Sequence, residues 1–284
     1  MTIAAGFRCL DGVLVGADSR LESGDIKYEE DKTFIIPSGR SDFLVVVTGS
    51  GDFEAVQHCV YLLDGNFFKN CDGSLAAIAG EIRRFSDSKA YRKLVDSLQP
   101  HLKPDLLFGI RSVQGETELL HLFDNKFHQV REYIAIGAGH STAMLFSKWL
   151  YRPDFDIEGF APLAVQIFRA AKGTHVGCEG NTTLHRLFNG GATLSAASPL
   201  PPGGDEKLLW GLYDALPALL LCCADDRPSE AYFEECLEKF SGMAREIRKA
   251  MTKAKAAHRA MTIAAQPSPE LTTHDPQSPP ASQE

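Results

Sequence analysis

The sequence has no CxxC pair, no basic segment leading into an apolar run at its start, and no uninterrupted apolar stretch of about 18 residues. Each absence removes a class. Seven cysteines stand at 9, 59, 71, 178, 222, 223 and 236, an odd number without paired spacing in a chain too long to need staples. A reducing compartment is expected, with neither a secretory leader nor a membrane span, so the expected location is cytoplasmic. Basic charge is also scarce: 29 Lys and Arg against 37 Asp and Glu leave a net charge of -8 over 284 residues. That disfavours a nucleic-acid role resting on bulk charge. The nine histidines form no metal-binding spacing beyond the two-ligand His175-x-x-Cys178, and no glycine-rich nucleotide loop follows a strand. No cofactor and no metal are expected.

What is present is a set of β-prone apolar runs separated by helical patterns. Residues 2–8 and 13–19 flank Asp11-Gly12, a common turn pair, and predict a hairpin. Further strands are predicted at 33–36, 43–49, 106–112, 118–124 and 130–137, with "GATLSAAS" as a late strand. Helices are predicted at 52–64, 73–95, 140–151 and 160–172 from apolar residues at helical spacing. Strands, two helices, strands, two helices are solved economically by two packed sheets between helical layers. Phe233, Leu237, Phe240, Ala244, Ile247 and Met251 trace an apolar stripe on a further helix at 229–259. The last twenty residues are Pro- and Ser-rich and expected to be disordered. The boundaries read as a core over 1–200, a helical extension over 201–260 and a tail over 261–284. "MTIAA" recurs at 261–265 and is read as coincidence.

The opening hairpin carries chemistry. A two-residue loop at Leu10-Asp11 sets position 3 opposite position 18, so Asp18 lies near Thr2. Lys32 precedes the third strand; if that strand lies beside the hairpin, its ammonium reaches the same end. A hydroxyl is a weak nucleophile at neutral pH and needs a base. If Met1 is removed, Thr2 carries one itself, an α-amine titrating near about 8. A neighbouring ammonium lowers that pKa and favours an alkoxide, and Asp18 orients the ammonium. Ser19 and Arg20 are read as supporting residues, and backbone N–H groups at Gly49 as an oxyanion hole. Cys9 is a possible alternative nucleophile, but its place in the hairpin favours packing.

At these residues the sequence resembles the proteasome β-subunit family of the N-terminal nucleophile hydrolase superfamily, through "TIAAGFRCLDGVLVGADSR", "DKTFII" and "VVVTGSGD". The likeness runs from residue 2 to about 200 and is strongest over the first fifty. It implies an α+β fold, a four-layer α-β-β-α sandwich, and amide hydrolysis by an N-terminal threonine. Thr2 falls on the nucleophile, Asp18 on the family aspartate, Lys32 on its lysine after a gap of about two residues, and Gly49 on the oxyanion glycine. Family members assemble into rings, so a homo-oligomer acting on peptide or protein is expected, with no nucleic-acid or membrane partner. A bacterial-type, proteasome-related member fits the pattern.

The sequence departs from that family in places. "GAG" at 137–139 puts Ala138 where catalytic members often carry serine, and Gly173 and Val176 stand where an aspartate and a serine are usual. Asn181 and Thr174 are the candidate substitutes. The resulting expectation is a threonine-type peptidase. The alternatives are an amidohydrolase of the same mechanism on a non-peptide substrate, or a binding or assembly protein that keeps the fold.

Overall fold

The computed structural model describes residues 2–23, 26–37, 43–175 and 177–190, with scattered positions between 234 and 252. Its first hairpin has the expected register. β1 (Ile3–Cys9) pairs antiparallel with β2 (Gly12–Asp18), from Ala4 opposite Ala17 to Cys9 opposite Gly12, around a Leu10-Asp11 loop. That loop also anchors a helix: the Asp11 carboxylate accepts from the Ile157 amide at 2.8 Å.

The hairpin is the centre of a four-stranded antiparallel sheet ordered β10-β1-β2-β11, with β10 at Tyr133–Gly137 and β11 at Thr182–Phe188. A five-stranded antiparallel sheet lies against it, ordered β5-β6-β7-β8-β9. Its strands are β5 (Thr33–Pro37), β6 (Leu44–Ser50), β7 (Asp105–Arg111), β8 (Thr117–Phe123) and β9 (Lys126–Gln129). A small hairpin of β3 (Arg20–Ser23) and β4 (Ile26–Glu29) joins the two sheets along the chain.

Both faces of each sheet are covered, which is why the central strands read as near-continuous apolar runs. Ile3, Ala5, Phe7 and Leu14 pack under α4 (His140–Leu150) and α5 (Ile157–Thr174). Their alternates Ala4, Val13, Val15 and Ala17 meet Leu44, Val46, Leu107 and Leu119 between the sheets. Val45, Val47, Phe108 and Leu120 face outward again, beneath α1 (Phe53–Leu62), α2 (Leu75–Asp87) and α3 (Lys89–Ser97). The architecture is therefore α-β-β-α, the expected fold class.

Several boundaries differ from expectation. The helix predicted over 73–95 is two helices, because Ser88 is extended (φ -68°, ψ 147°) and its hydroxyl accepts from the Tyr91 amide, capping α3. The strand predicted from 130 begins at Tyr133, and the helix predicted from 160 begins at Ile157, where Asp156 caps it. β3, β4, β9 and β11 were not anticipated. "GATLSAAS", Val176, the "MTIAA" repeat and the tail lie outside the described residues. The described positions between 234 and 252 are helical, and Leu237 among them is exposed. No helix among the described residues is long and apolar enough to cross a membrane.

One polar contact ties β11 to β5 through the layer between the sheets. Thr33 donates its hydroxyl to Asp31 at 2.5 Å, so the buried His185 must donate its Nε2–H to Thr33 Oγ1 at 2.8 Å. His185 Nδ1 is buried with no hydrogen-bond partner among the described residues. Burial holds this imidazole below its ordinary pKa, so the fold binds the neutral ring. A depressed imidazole contributes stability that is full above the ordinary histidine pKa and lost as pH falls through the folded value. Urea unfolding from pH 7.5 down to 5 should show a falling midpoint. His185→Gln, which keeps a donor for Thr33, should flatten that dependence; an equal slope in the variant would exclude His185 as its source.

Candidate active site

Three of the sequence-predicted residues meet at one end of the sheet sandwich. Lys32 is only 2 % exposed. Its Nζ donates to Thr2 Oγ1 at 2.9 Å and to Asp18 Oδ1 at 3.0 Å. Asp18 is 1 % exposed, and the same Oδ1 accepts from the Ile3 amide at 3.1 Å. The strands explain the meeting. Thr2 and Asp18 sit at the open ends of β1 and β2 in one sheet, while Lys32 stands just before β5 in the other. Since β5 pairs with β6 from Thr33 opposite Thr48, Lys32 lies level with Gly49.

The electrostatics are those of a dry ion pair. Burial pushes the Asp18 carboxyl above its ordinary pKa, while the Lys32 ammonium, the Ile3 amide and Lys172 pull it back. An ammonium held on a hydroxyl oxygen favours the deprotonated form of that hydroxyl. The arrangement can therefore stabilise negative charge on Thr2 Oγ1.

Gly137 closes the site from below. Its φ is 87°, and a Cβ there would lie 2.2 Å from the Thr2 carbonyl oxygen, so both its backbone and its contact with Thr2 require glycine. Gly49 is constrained by packing: a Cβ would stand 3.0 Å from the Asp105 carbonyl oxygen and from Leu106. The Ser19 hydroxyl accepts from the Asn181 amide at 2.8 Å, and the buried Arg20 pairs with Glu179. These two residues fasten the turn before β11 to the end of β2.

Ala138 packs against the apolar core under α4 and α5. Among the described residues, nothing lies within 4 Å of where a Gly173 Cβ would stand. Thr174 bonds Thr142 Oγ1 at 2.9 Å and the Ala170 and Ala171 carbonyls, and Asn181 donates its side-chain amide to Glu29 at 2.9 Å. Cys9 is partly buried in the same core, its thiol pushed up to about 12.

Three neighbours were not read from the sequence as part of this site, Cys178 having been noted there only in the His175-x-x-Cys178 spacing. His140 shares a 2.9 Å bond with the Gly137 carbonyl, which fixes Nδ1 as the protonated nitrogen. Buried Cys178 lies against Gly139, its thiol raised to about 11 by burial and hence neutral. Lys172, in the last turn of α5, donates to Gly180 O at 2.7 Å and Thr182 Oγ1 at 2.5 Å. A lysine closing an amphipathic helix reads as a helix-dipole partner, so the sequence held no separate signal for it. No group of three or more His, Cys, Asp or Glu among the described residues could hold a metal.

No family model and no curated protein matches the sequence. Solved structures do match. A Gly-1 mutant of Anbu from Hyphomicrobium sp. strain MC1 aligns with a TM-score of 0.64 at 18% identity, over 81% of this chain and 99% of that chain. Anbu, described as an ancestral β-subunit, from Yersinia bercovieri aligns at 0.64 and 15% identity, over 80% and 98%. A helical assembly of the Anbu complex from Pseudomonas aeruginosa aligns at 0.59 and 17%, over 81% and 99%. At these identities the likeness is one of fold. The chain has the α-β-β-α sandwich of N-terminal nucleophile hydrolases, in its proteasome-β-like form.

The buried pair makes a stability prediction. Lys32→Met leaves Asp18 buried without its cation and should cost about 3–5 kcal/mol in urea unfolding. Lys32→Met combined with Asp18→Asn should recover part of that loss, because no charge remains buried. A double variant as unstable as the sum of the singles would show that the two groups are not coupled.

Proposed function

We propose that the chain is a threonine-type N-terminal nucleophile hydrolase, a peptidase that forms an acyl-enzyme on Thr2 after Met1 is removed. The observation that carries this reading is the 2.9 Å bond from Lys32 Nζ to Thr2 Oγ1, with Asp18 behind the ammonium. Cutting the Met1–Thr2 bond frees an amine on the nucleophile's own residue. That amine takes the Oγ1 proton as Oγ1 attacks the substrate carbonyl carbon, and the carbonyl electrons move to oxygen. The Gly49 amide is assigned to that oxyanion, and Lys32 offsets charge at Oγ1. Collapse breaks the C–N bond, and the leaving amine takes the proton from the Thr2 ammonium. Water, deprotonated by the same amine, attacks the ester; the acid product leaves and the proton returns to Oγ1.

Asp18 sets the acid limb of the reaction. Its carboxyl lies above the ordinary value, so rate should fall on acidification at a higher pH than an exposed aspartate would give. Homo-oligomerisation belongs to the same reading: α4 leaves Leu145 and Trp149 exposed, and a structural relative is a helical assembly. A second reading, a binding or assembly protein that retains the fold, draws on Ala138 and Gly173, which bring no side-chain polar group toward the amine.

One set of experiments separates the two. Intact mass should show Met1 absent, a peptidyl epoxyketone should add once at Thr2, and Thr2→Ala should abolish both labelling and fluorogenic peptide turnover without altering thermal unfolding. Wild-type turnover in Thr2→Ala would overturn the mechanism. Folded, Met1-free protein that neither labels nor turns over would favour the second reading.

A further inference from the structure

Asp18 is supported unequally. Its Oδ1 accepts from both Lys32 and the Ile3 amide, while Oδ2 is buried with no hydrogen-bond partner among the described residues. A buried carboxylate oxygen without a donor is costly, and the cost falls on the ionised form. Something else nearby must favour the charge if Asp18 is to serve as the counter-ion of Lys32.

The helical layer offers it. Thr182 is the residue directly opposite Asp18 in the β2–β11 ladder, so both side chains leave the sheet on one face. That face is the one under α5, since Leu14 and Leu184, at even spacing along the same strands, lie in the core beneath the helices. Lys172 reaches down from α5 and donates to Thr182 Oγ1 at 2.5 Å and to Gly180 O at 2.7 Å. Thr182 and the Gly180 carbonyl thus hold the Lys172 ammonium beside the residue that faces Asp18 across the strands.

We propose that Lys172 is a positioning residue for the Thr2 reaction: fastened on the helical side by Thr182 and Gly180, its charge holds Asp18 as a carboxylate. This rests on the threonine-hydrolase reading. The groups facing Asp18 are then the Ile3 amide from β1, Lys32 ahead of β5, Lys172 from α5, neutral Cys178 from the following loop and Thr182 from β11. Arg20 lies farther along the chain and is paired with Glu179. A carboxylate kept ionised beside Lys32 keeps that ammonium on Thr2 Oγ1, where it favours the anionic oxygen that begins the reaction.

The test uses the full chain, Met1-free, as wild type, Lys172→Met, Lys172→Arg and Thr182→Val. Two readouts are taken across pH 4 to 9: the rate of epoxyketone labelling of Thr2 by intact mass, and the Asp18 carboxyl titration by carbon-13 NMR, assigned with Asp18→Asn. Lys172→Met should slow labelling about tenfold and move both the acid limb and the Asp18 midpoint up by about one pH unit, without weakening reversible binding of the reagent. Lys172→Arg should restore both, and Thr182→Val should give a smaller shift in the same direction. An unmoved Asp18 midpoint in Lys172→Met overturns the proposal, whatever the labelling does. If the wild type does not label at all, the hydrolase reading fails instead, and the NMR midpoint still decides whether Lys172 governs Asp18. Should Lys172→Met not fold, Lys172→Gln and Thr182→Val carry the same comparison.

Discussion

Burial of the Lys32 ammonium is the constraint on which the rest of the site depends. A charged amine at 2 % exposure survives only if its hydrogens are accepted and its charge is matched. Thr2 Oγ1 and Asp18 Oδ1 do both. Neither acceptor belongs to the sheet that carries Lys32. The ion pair therefore crosses the sandwich, and its geometry is only as good as the registry of one sheet on the other. Interdigitation of Ala4, Val15 and Ala17 with Val46, Leu107 and Leu119 supplies that registry. A one-residue slip in β2 would turn Asp18 to the opposite face and leave the ammonium without a counter-ion. Core packing and site chemistry are thus one structural requirement.

The parts legible in the sequence were those set by local rules. A two-residue loop fixes a hairpin register, so the nearness of Asp18 to Thr2 followed from counting residues. Strands covered on both faces announce themselves as apolar runs, which is why β1, β2 and β6 were found. The rest depended on distant partners. β11 reads "TTLHRLF", with a histidine and an arginine, because it is an edge strand whose polar residues meet Thr33 and Glu158 from other elements. No window of sequence contains those partners. Ser88 was hidden for a different reason. The α2 stripe of Ile78, Ile82 and Phe85 and the α3 pair Tyr91 and Val95 fall on different faces of one continuous helix, so the only trace of the break is a change of phase after Phe85, where the extended Ser88 backbone separates the two helices.

The same distinction divides the site. Thr2, Asp18 and Lys32 lie within about thirty residues of sequence and were read together. Lys172, Cys178 and Thr182 arrive from a stretch some 150 residues later, which the chain brings back as an edge strand beside β2. Their side chains are ordinary for a helix end, a loop and a strand start. Only the cross-strand pairing of Thr182 with Asp18 turns them into neighbours of the charged cluster.

The departures at Ala138 and Gly173 then acquire a physical consequence. A hydroxyl and a carboxylate near a terminal amine would raise its basicity by accepting its hydrogens and matching its charge. With an apolar methyl at Ala138 and no side chain at Gly173, that support is absent at these two positions, and two lysines flank Asp18. Under the proposed mechanism this exchanges one way of tuning the amine for another. The amine is held neutral by nearby positive charge, with less help in holding the proton once it arrives. An amine so tuned takes the Oγ1 proton less readily and gives it up to the leaving amine more readily, so the first proton transfer is where such a site would pause.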